Sequence, residues 1–597
     1  MQRVSYATPL LVPFAATALA APAHAAGQPG GEASPEDLVR SARAADAPRG
    51  EPGAEPRTYR PPQDDPDSPE ARRLREGLEE ILEGRILGSS TTAVYIVDAF
   101  TGDPIYERNI EEPLNPASNV KLVTTAAALD TLGPSWRYNL RLFGPVPDGG
   151  EIDGDVYLRG GADPTLAADD LATLAGDLAD SGARRITGDL VLGPYRTRDA
   201  VGLAPTEVVA RGGEPGEPAE VEVEPMSSFF EIENEATTVG QGGSRIRISK
   251  EEIAGEDGEV GRTVIRVRGR IREGRHSSRT LWIQDRAGFT AHTFRAALED
   301  AGVEVQGDIR QERFSDYSAR AAAEDAYLPV ELARYESAPM SEIVADVNKP
   351  SSNFLADRVA MTAGAKLHGN RLSMATGLAA MDMWLERAGI DPDTMVLDTG
   401  SGLSYETEFS ARQVMDVLRA ASGYGASEPS ALTAAGAQVA VNGTSELAQL
   451  AEAPQSEPAA DLTNVDTADG HPAEPEPGIE PIWARGLGEA SQSFVSSLPV
   501  AGVDGTLSSR FRRSSAREHV FAKTGTLRNI IALSGFATGS RADNRLGFAI
   551  ITNDHRPGLR TAVREEQDRL VDVIYDYLRT RPRPEQDEPV VGGGPTS

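Results

Sequence analysis

A serine and a lysine at the start of an alanine-rich segment have the spacing of a nucleophile and its base. Residues 116–129 read Pro-Ala-Ser-Asn-Val-Lys-Leu-Val-Thr-Thr-Ala-Ala-Ala-Leu, and no Gly or Pro follows until Gly133, which predicts a helix. Ser118 would begin this helix, and Lys121 would lie one turn further on, on the same face. A lysine held that close can accept the proton of the serine hydroxyl. An N-cap serine beside a solvated lysine would give the same pattern, so the spacing alone leaves both interpretations open.

Lysine is rare in this chain, which makes each lysine a candidate for chemistry. The chain has 59 lysines and arginines, and only five of them are lysines: Lys121, Lys250, Lys349, Lys366 and Lys523. Lysine can lose its proton, whereas arginine in practice cannot. Lys349 stands two residues before the Ser351-Ser352-Asn353 motif, and Lys523 begins a Lys-Thr-Gly motif. The motifs S-x-x-K, S-x-N and K-T-G in this order are typical of class A β-lactamases and penicillin-binding proteins.

A long segment separates the two serine motifs. Ser118 and Ser351 are 233 residues apart, too far for a compact β-lactamase, so the spacing requires one or two inserted domains. Residues 137–320 have the pattern of such an insertion, because short β-type runs alternate with turns. Within it, a helix is predicted over residues 287–302, and the Glu- and Pro-rich piece 213–225 is expected to be a surface loop.

Further elements on both sides of the insertion would position the motifs. Apolar spacing predicts a helix over residues 69–86, and a hairpin of residues 92–97 with 105–106 leads the chain to Ser118. Beyond the insertion, the pattern predicts helical segments at 327–347 and 351–363, strands at 520–523, 530–537 and 546–552, and a closing amphipathic helix around 570–578.

The composition limits the class of protein. A chain of 597 residues has room for two to four domains. Its net charge of −32 argues against nucleic acid as a partner, because phosphates would be repelled. Without cysteine there is no disulfide framework and no thiolate chemistry. The seven histidines are scattered without metal-ligand spacing, so we expect no metal site.

Four segments are predicted to lie outside the globular part. Residues 1–25 are predicted to be a signal peptide, because a basic start precedes a short apolar run and a small-residue cleavage site. We expect a disordered linker at 26–68, a disordered insertion at 427–482 and a disordered tail at 583–597. No later stretch is apolar and long enough to span a membrane, so the sequence predicts an exported protein without a membrane span.

Longer motifs extend the similarity to one family. They are Gly-Ala-Asp-Pro-Thr-Leu at 161–166, Asn-Lys-Pro-Ser-Ser-Asn at 348–353, Gly-Ser-Gly-Leu-Ser at 400–404, Leu-Pro-Val-Ala-Gly-Val-Asp-Gly-Thr-Leu at 498–507 and Lys-Thr-Gly-Thr-Leu at 523–527. Over residues 85–425 and 486–580 the chain resembles the D-alanyl-D-alanine carboxypeptidase/endopeptidases of the penicillin-binding protein 4 type. These are class C low-molecular-mass penicillin-binding proteins of peptidase family S13.

The resemblance implies an α/β fold (α+β multidomain): a serine β-lactamase/transpeptidase-like domain, split in sequence, with two mostly β inserted domains. The three catalytic parts would be residues 69–136, 321–426 and 483–582, and the inserted domains residues 137–320. The implied enzyme is a serine-type D-Ala-D-Ala carboxypeptidase and DD-endopeptidase of the periplasm. It acts on peptidoglycan stem peptides through an acyl-enzyme, is inhibited covalently by β-lactam antibiotics such as penicillin, and needs no cofactor.

The resemblance also implies a role for each catalytic residue. Ser118 attacks the carbonyl between two D-alanines, and Lys121 takes its proton. This step requires a neutral amine, which burial and the nearby Lys523 would both favour. Ser351 acts as a proton relay, and Asn353 contacts Lys121 and the substrate amide.

The Lys-Thr-Gly motif is implied to bind the substrate. Lys523 and Thr524 hold the terminal carboxylate, with Gly525 in the same motif. The backbone N–H groups of Ser118 and Thr526 form the oxyanion hole.

The chain departs from the family pattern at two positions and in length. Tyr405 stands where an arginine usually helps to bind the acidic side chain of the stem peptide, Thr399 stands where an acid is usual, and the insertion at 427–482 is longer than usual. Two other interpretations are a β-lactamase or D-aminopeptidase-like hydrolase, and a non-catalytic protein that binds peptidoglycan or β-lactams. The 233-residue spacing disfavours the first, and the presence of all three reactive side chains disfavours the second.

Overall fold

Most of the chain between residues 67 and 581 is described by the structure, which is a computed structural model. The described ranges are 67–193, 202–203, 205–253, 261–323, 327–369, 372–424, 488–539 and 544–581. The predicted signal peptide, nearly all of the predicted linker, the insertion at 427–482 and the tail at 583–597 lie outside these residues.

The described residues form eleven α-helices and nineteen strands. The helices are α1 (Pro69–Leu82), α2 (Val120–Leu132), α3 (Ala168–Asp180), α4 (Arg286–Asp300), α5 (Phe314–Ala323), α6 (Met340–Asn348), α7 (Asn353–Leu367), α8 (Met374–Arg387), α9 (Ala411–Ala421), α10 (Glu489–Ser496) and α11 (Arg560–Thr580). The strands are β1 (Thr91–Asp98), β2 (Pro104–Arg108), β3 (Asn139–Gly144), β4 (Glu151–Ile152), β5 (Val156–Arg159), β6 (Arg185–Ile186), β7 (Leu190–Leu192), β8 (Thr206–Arg211), β9 (Glu220–Glu224), β10 (Phe230–Val239), β11 (Arg245–Ile253), β12 (Arg262–Arg272), β13 (His276–Leu281), β14 (Glu304–Val305), β15 (Ile309–Gln311), β16 (Val330–Glu336), β17 (Val520–Leu527), β18 (Ile530–Thr538) and β19 (Arg545–Asn553).

An antiparallel sheet of strand order β17-β18-β19-β1-β2 joins the two ends of the described chain. Successive side chains of a strand point to opposite faces of the sheet. On β1, Tyr95 and Val97 pack with α2 and its neighbours, whereas Val94 and Ile96 pack with α1 and α11. The sheet is therefore covered by helices on both faces, which confirms the predicted α/β class with a catalytic domain split in sequence.

Helix α2 lies at the centre of one helical layer. All ten residues from 120 to 129 are buried, and Lys121 is the charged one among them. A helix that is apolar all round needs neighbours on every side, and α6, α7, α8 and α10 supply them. The helix ends at Leu132 because Gly133 adopts a positive φ of 92°.

The region between α2 and α6 is mostly β. One mixed sheet has the order β15-β7-β5-β3-β16, and three further sheets have the orders β14-β6-β4, β13-β8-β9 and β10-β12-β11. Its buried residues form one continuous cluster that includes Leu142, Val208, Ile265 and, on the predicted helix α4, Phe289. The inserted region therefore has a hydrophobic core of its own.

Two local predictions in this region were wrong. Within the piece 213–225, expected to be a loop, β9 pairs antiparallel with β8 over Glu220–Glu224. The helical pattern expected from residue 327 is interrupted by β16, which pairs antiparallel with β3 before α6 begins at Met340. Glu and Val alternate along β9, so the glutamates lie on the solvated face of the strand and the valines on the opposite face. This alternation explains why the segment forms a strand. The inserted sheet continues to Glu336, beyond the boundary expected at residue 320.

Candidate active site

Ser118 lies in a 3-10 turn, Ala117–Asn119, that runs directly into α2. Two motif glycines allow other segments to approach this turn. A Cβ placed at Gly402 would lie 2.1 Å from the carbonyl oxygen of Ala117, and one placed at Gly525 would lie 2.5 Å from that of Pro116. No side chain fits at these distances, so the glycines of both motifs are required for packing around the serine.

Lys121 is fully buried and contacts three acceptors. Its Nζ lies 3.0 Å from Ser118 Oγ, 2.7 Å from Asn353 Oδ1 and 2.6 Å from the carbonyl oxygen of Ser401. Burial lowers the pKa of Lys121 to about 7, while the Asp357 carboxylate acts in the opposite direction. At neutral pH a large fraction of this amine is therefore unprotonated and able to accept a proton from Ser118.

Lys523 and Ser351 form a second pair on the other side of the site. Lys523 Nζ donates to Ser351 Oγ at 2.8 Å and to the carbonyl oxygen of Thr524 at 2.8 Å. Burial lowers the pKa of Lys523 well below its usual value, and the charge of Lys121 lowers it further. Ser351 has a φ of 60°, which is strained for a residue with a Cβ and is typical of functional sites.

The strand that carries the Lys-Thr-Gly motif, β17, lies at the edge of the sheet. On its open side, the Ala522 N–H bonds to the Pro499 carbonyl oxygen at 3.0 Å. Since backbone groups alternate in direction along a strand, those of Thr524 and Thr526 face the same open side. The Thr524 hydroxyl donates to Thr506 Oγ1 at 2.8 Å. This edge is able to pair with an extended peptide.

The structure therefore brings the predicted residues together in two connected groups. Ser118, Lys121 and Asn353 share hydrogen bonds, and so do Ser351 and Lys523, with Thr524 beside them. Gly525 packs against the serine turn. Thr526 accepts a hydrogen bond from Arg564 Nη2 at 3.2 Å through its hydroxyl.

Comparison with known proteins identifies the family. The D-Ala-D-Ala carboxypeptidase 3 (S13) family matches residues 74–194, 200–460 and 486–574, which is most of the chain. The chain belongs to this family. Its members are peptidases, so the protein is a hydrolase of the D-Ala-D-Ala carboxypeptidase class, as the sequence predicted.

Individual relatives agree with this family in sequence and in fold. The D-alanyl-D-alanine carboxypeptidase of Actinomadura sp. (strain R39) is 29% identical over 541 residues, covering 84% of this chain and 85% of the relative. Carboxypeptidase Rv3627c of Mycobacterium tuberculosis is 25% identical over 472 residues, covering 78% and 77%. Penicillin-binding protein 4 of Haemophilus influenzae, solved with a β-lactam, has the same fold, with a TM-score of 0.58 at 18% identity over 84% of this chain and 99% of that chain.

One residue of this S13 site, a buried carboxyl close to Lys121, was not singled out from the sequence. Asp357 follows Asn353 by one turn of α7, and burial raises its pKa while Lys121 and the N–H groups of Ser401 and Gly400 oppose that effect. The sequence signal that could have identified Asp357 is its position one helical turn after Asn353, on the same face of the helix. Burial lowers the pKa of Lys121 as expected, but the expected contribution of Lys523 is not found, and the second group that acts on this pKa is Asp357, which raises it.

Lys349, which the lysine count made a candidate for chemistry, has a packing role instead. Its Nζ donates to Asp504 Oδ2 at 2.5 Å and to the Leu498 carbonyl oxygen at 3.2 Å. Its own carbonyl oxygen accepts from the Thr506 N–H at 2.9 Å. Lys349 therefore fixes the segment at 498–507 against the serine motif that follows it.

Tyr405 lies at the far end of the β17 strand. Its hydroxyl oxygen accepts a hydrogen bond from the Arg528 N–H at 3.3 Å, and the side chain is 54% exposed. Thr399, at the position where an acid is usual, accepts the Gly402 N–H at 3.0 Å and so shapes the loop. Both departures from the family pattern thus lie in the loop that contacts Lys121.

Two further properties concern the described ranges as a whole. Among these residues, no three His, Asp or Glu side chains come together in an arrangement that could hold a metal ion. Nor does any helix described here combine the length and the apolar character needed to cross a membrane.

Proposed function

We propose that this protein cleaves the D-Ala-D-Ala bond of peptidoglycan stem peptides through a serine acyl-enzyme, with Ser118 as the nucleophile and Lys121 as its base. The observation that carries the proposal is the 3.0 Å contact between Lys121 Nζ and Ser118 Oγ, made by an amine whose pKa is about 7. A general base of this kind typically contributes a factor of about 10² to 10⁴ to the rate.

The reaction proceeds in two halves. Ser118 Oγ attacks the carbonyl carbon, and its proton passes to Lys121 Nζ. The tetrahedral intermediate collapses with cleavage of the C–N bond, and the departing D-alanine nitrogen takes up that proton by way of Ser351. Water then attacks the acyl carbonyl, gives a proton to Lys121 and releases the shortened peptide, and Ser118 recovers its hydroxyl proton. The same steps on a cross-link between two stem peptides constitute the DD-endopeptidase activity.

The motif around Lys523 is proposed to position the substrate. An extended peptide pairs with the open edge of β17, and its terminal carboxylate lies beside Lys523 and Thr524. A bound carboxylate favours the ammonium form of Lys523, against the effect of burial on this amine. The N–H groups of Ser118 and Thr526 bind the developing oxyanion, each contributing about 3 kcal/mol in comparable sites.

The domain organisation and location are proposed on the same basis. Residues 69–136, 321–426 and 483–582 form the catalytic domain, except that the pairing of β16 with β3 favours an inserted region that continues to Glu336. The apolar run within residues 1–25 supports export, and we place the enzyme in the periplasm, where peptidoglycan stem peptides and β-lactams would reach it.

Mass spectrometry with penicillin tests the mechanism. We expect one penicilloyl adduct per wild-type chain and none on Ser118→Ala, with an unchanged melting temperature. A peptide ending in D-Ala-D-Ala should release D-alanine, and a cross-linked stem-peptide dimer should be cleaved. Rapid turnover of penicillin without an adduct would indicate a β-lactamase instead, and neither an adduct nor D-alanine release would indicate a non-catalytic protein.

A further inference from the structure

The hydroxyl groups of the Lys-Thr-Gly-Thr segment lie on the face of β17 opposite to the Lys523 side chain. Successive side chains of a strand point to opposite faces of the sheet. On β17, Phe521 packs in the cluster around α2, whereas Ala522 packs in the cluster that contains α1 and α11. Lys523 therefore points toward α2, and Thr524 and Thr526 point toward α11. The cation of the motif and its two hydroxyl groups are thus on different faces of the strand.

A second cation, Arg564, reaches the threonine face of β17 from helix α11. Its Nη2 donates to Thr526 Oγ1 at 3.2 Å. The residue beside Thr526 on β18 is Ile531, so the neighbouring strand supplies no charge at this point. The Ile531 carbonyl oxygen accepts from the Gln567 amide at 3.1 Å. Gln567 lies three residues after Arg564, and its hydrogen bond therefore fixes this part of α11 against the sheet.

Positive charge exceeds negative charge around Arg564. Asp568, one turn further along α11, is bound by Arg510, whose Nε and Nη2 lie 2.8 Å and 2.5 Å from its Oδ1. In the described part of the chain Arg564 itself forms no salt bridge. Burial lowers the pKa of Arg564, the charges of Arg510 and Arg560 lower it further, and Asp568 opposes them. An arginine keeps its proton at neutral pH all the same, so this surrounding favours an anion beside Thr526.

We propose that Arg564 makes the site specific for a substrate with a free terminal carboxylate, by orienting the Thr526 hydroxyl and adding positive charge beside it; this inference rests on the proposed function. The Thr526 oxygen accepts from Arg564, so its own hydrogen is left to donate to a carboxylate oxygen. A hydroxyl that accepts from a cation is a stronger donor. Arg564 acts through Thr526 and is therefore a positioning residue.

The two cations have separable roles at the carboxylate. Lys523 is fully buried, and its Nζ donates to Ser351 Oγ and to the Thr524 carbonyl oxygen, each at 2.8 Å. These contacts group Lys523 with the proton-transfer residues, whereas Arg564 contacts the half-buried Thr526. The Thr524 and Thr526 side chains are about 6.6 to 6.8 Å apart along the strand, so one carboxylate can contact both hydroxyl groups. Lys523 then stabilises it from one face of β17, and Arg564 stabilises it from the other.

The test compares a peptide ending in D-Ala-D-Ala with the same peptide ending in D-Ala-D-alaninamide, by kcat and KM for release of the last residue. We expect the wild-type chain to favour the acid in kcat/KM by about tenfold or more. Arg564→Gln should remove most of that preference, mainly through a higher KM for the acid, and leave kcat/KM for the amide within about twofold. Arg564→Lys keeps the charge and should restore part of the preference.

Arg569→Gln is the matched control. It removes the same charge from α11, but Arg569 lies about 140° around the helix from Arg564 and pairs with Glu566. The preference for the acid should stay within about twofold of wild type. Thr526→Val removes the hydroxyl and should lower the preference as Arg564→Gln does, and the double variant should lower it little further, because both changes break one interaction.

The ratio of the two substrates separates specificity from folding. Partial unfolding of a variant lowers both rates equally, so it does not change the ratio. The inference is overturned if the wild-type chain does not prefer the acid, if Arg564→Gln keeps the wild-type ratio, or if Arg569→Gln loses the preference equally. Release of neither product by the wild-type chain would refute the proposed function and this inference with it. Turnover of both substrates with an unchanged ratio in Arg564→Gln would refute this inference alone.

Discussion

The Nζ atom of Lys121 lies 2.6 Å from the carbonyl oxygen of Ser401. The N–H groups of Ser401 and of its neighbour Gly400 act on the carboxyl of Asp357 and oppose the effect of burial on its pKa. The loop lies close against α7, because a Cβ at Gly400 would lie 2.9 Å from the Ala360 Cβ. The base and a buried carboxyl therefore contact the same loop, and the charge of that carboxyl opposes the effect of burial on the pKa of Lys121.

Replacing Asp357 should change the pH dependence of acylation. The carboxylate raises the pKa of Lys121, which burial lowers to about 7, so Asp357→Asn removes an opposing effect. The neutral amine would then persist to lower pH, and the acidic limb of the acylation rate should move downward, giving a several-fold faster reaction near pH 6. The measurement is the second-order rate of labelling by fluorescent penicillin against pH.

Two companion variants make this test specific. Asp382→Asn removes a carboxyl on α8 whose pKa is raised by burial and by Glu386 and Asp393, and it should leave the profile unchanged. The pKa of Lys121 is set by burial and by the Asp357 carboxylate, and Lys523 has no part in it. Lys523→Ala should therefore slow the reaction without moving the limb. A limb that moves upward in Asp357→Asn would contradict this account of the base.

The catalytic framework was largely predictable because its motifs carry strong local signals. An alanine-rich run that ends at Gly133 predicts α2, and the spacing of Ser118 and Lys121 places both side chains on one face of it. The order of the motifs also predicted an inserted region. The contact between Asn353 and Lys121 could not be predicted from spacing, because it depends on how α7 packs against α2. Only the family resemblance implied it.

The predictions from sequence failed where local composition did not indicate the structure, or where the structure depends on contacts between distant residues. The alternating acidic residues of β9 read as a loop, although pairing with β8 satisfies the backbone and leaves the carboxylates in water. Lys349 was grouped with the reactive lysines, although its partner Asp504 lies far along the sequence. Asp357 was missed because its significance comes from burial beside Lys121, which no local pattern reveals. The contact of Arg564 with Thr526 is likewise a tertiary property.

Gly402→Ala should disable the serine without touching any reactive group. A Cβ at this position would lie 2.1 Å from the Ala117 carbonyl oxygen, so the turn that carries Ser118 must move. We expect the acylation rate to fall at least tenfold, since small displacements of a nucleophile are costly. Gly133→Ala is the control, because Gly133 also has a positive φ but no atom lies within 4 Å of its Cβ position. It should lower stability while keeping acylation. Equal acylation by both variants would contradict the packing argument.

The buried ion pair between Asp98 and Arg581 should be important for stability. Arg581 Nη2 lies 2.8 Å from Asp98 Oδ2, and each side chain is only 2% exposed. Asp98→Ala would leave the guanidinium buried without this partner, which typically costs about 3–5 kcal/mol. We expect urea unfolding of the catalytic domain to show that loss. Glu111→Ala, which breaks the exposed pair with Arg412, should cost less than about 1 kcal/mol. Similar losses in the two variants would mean that burial of the Asp98 pair contributes nothing.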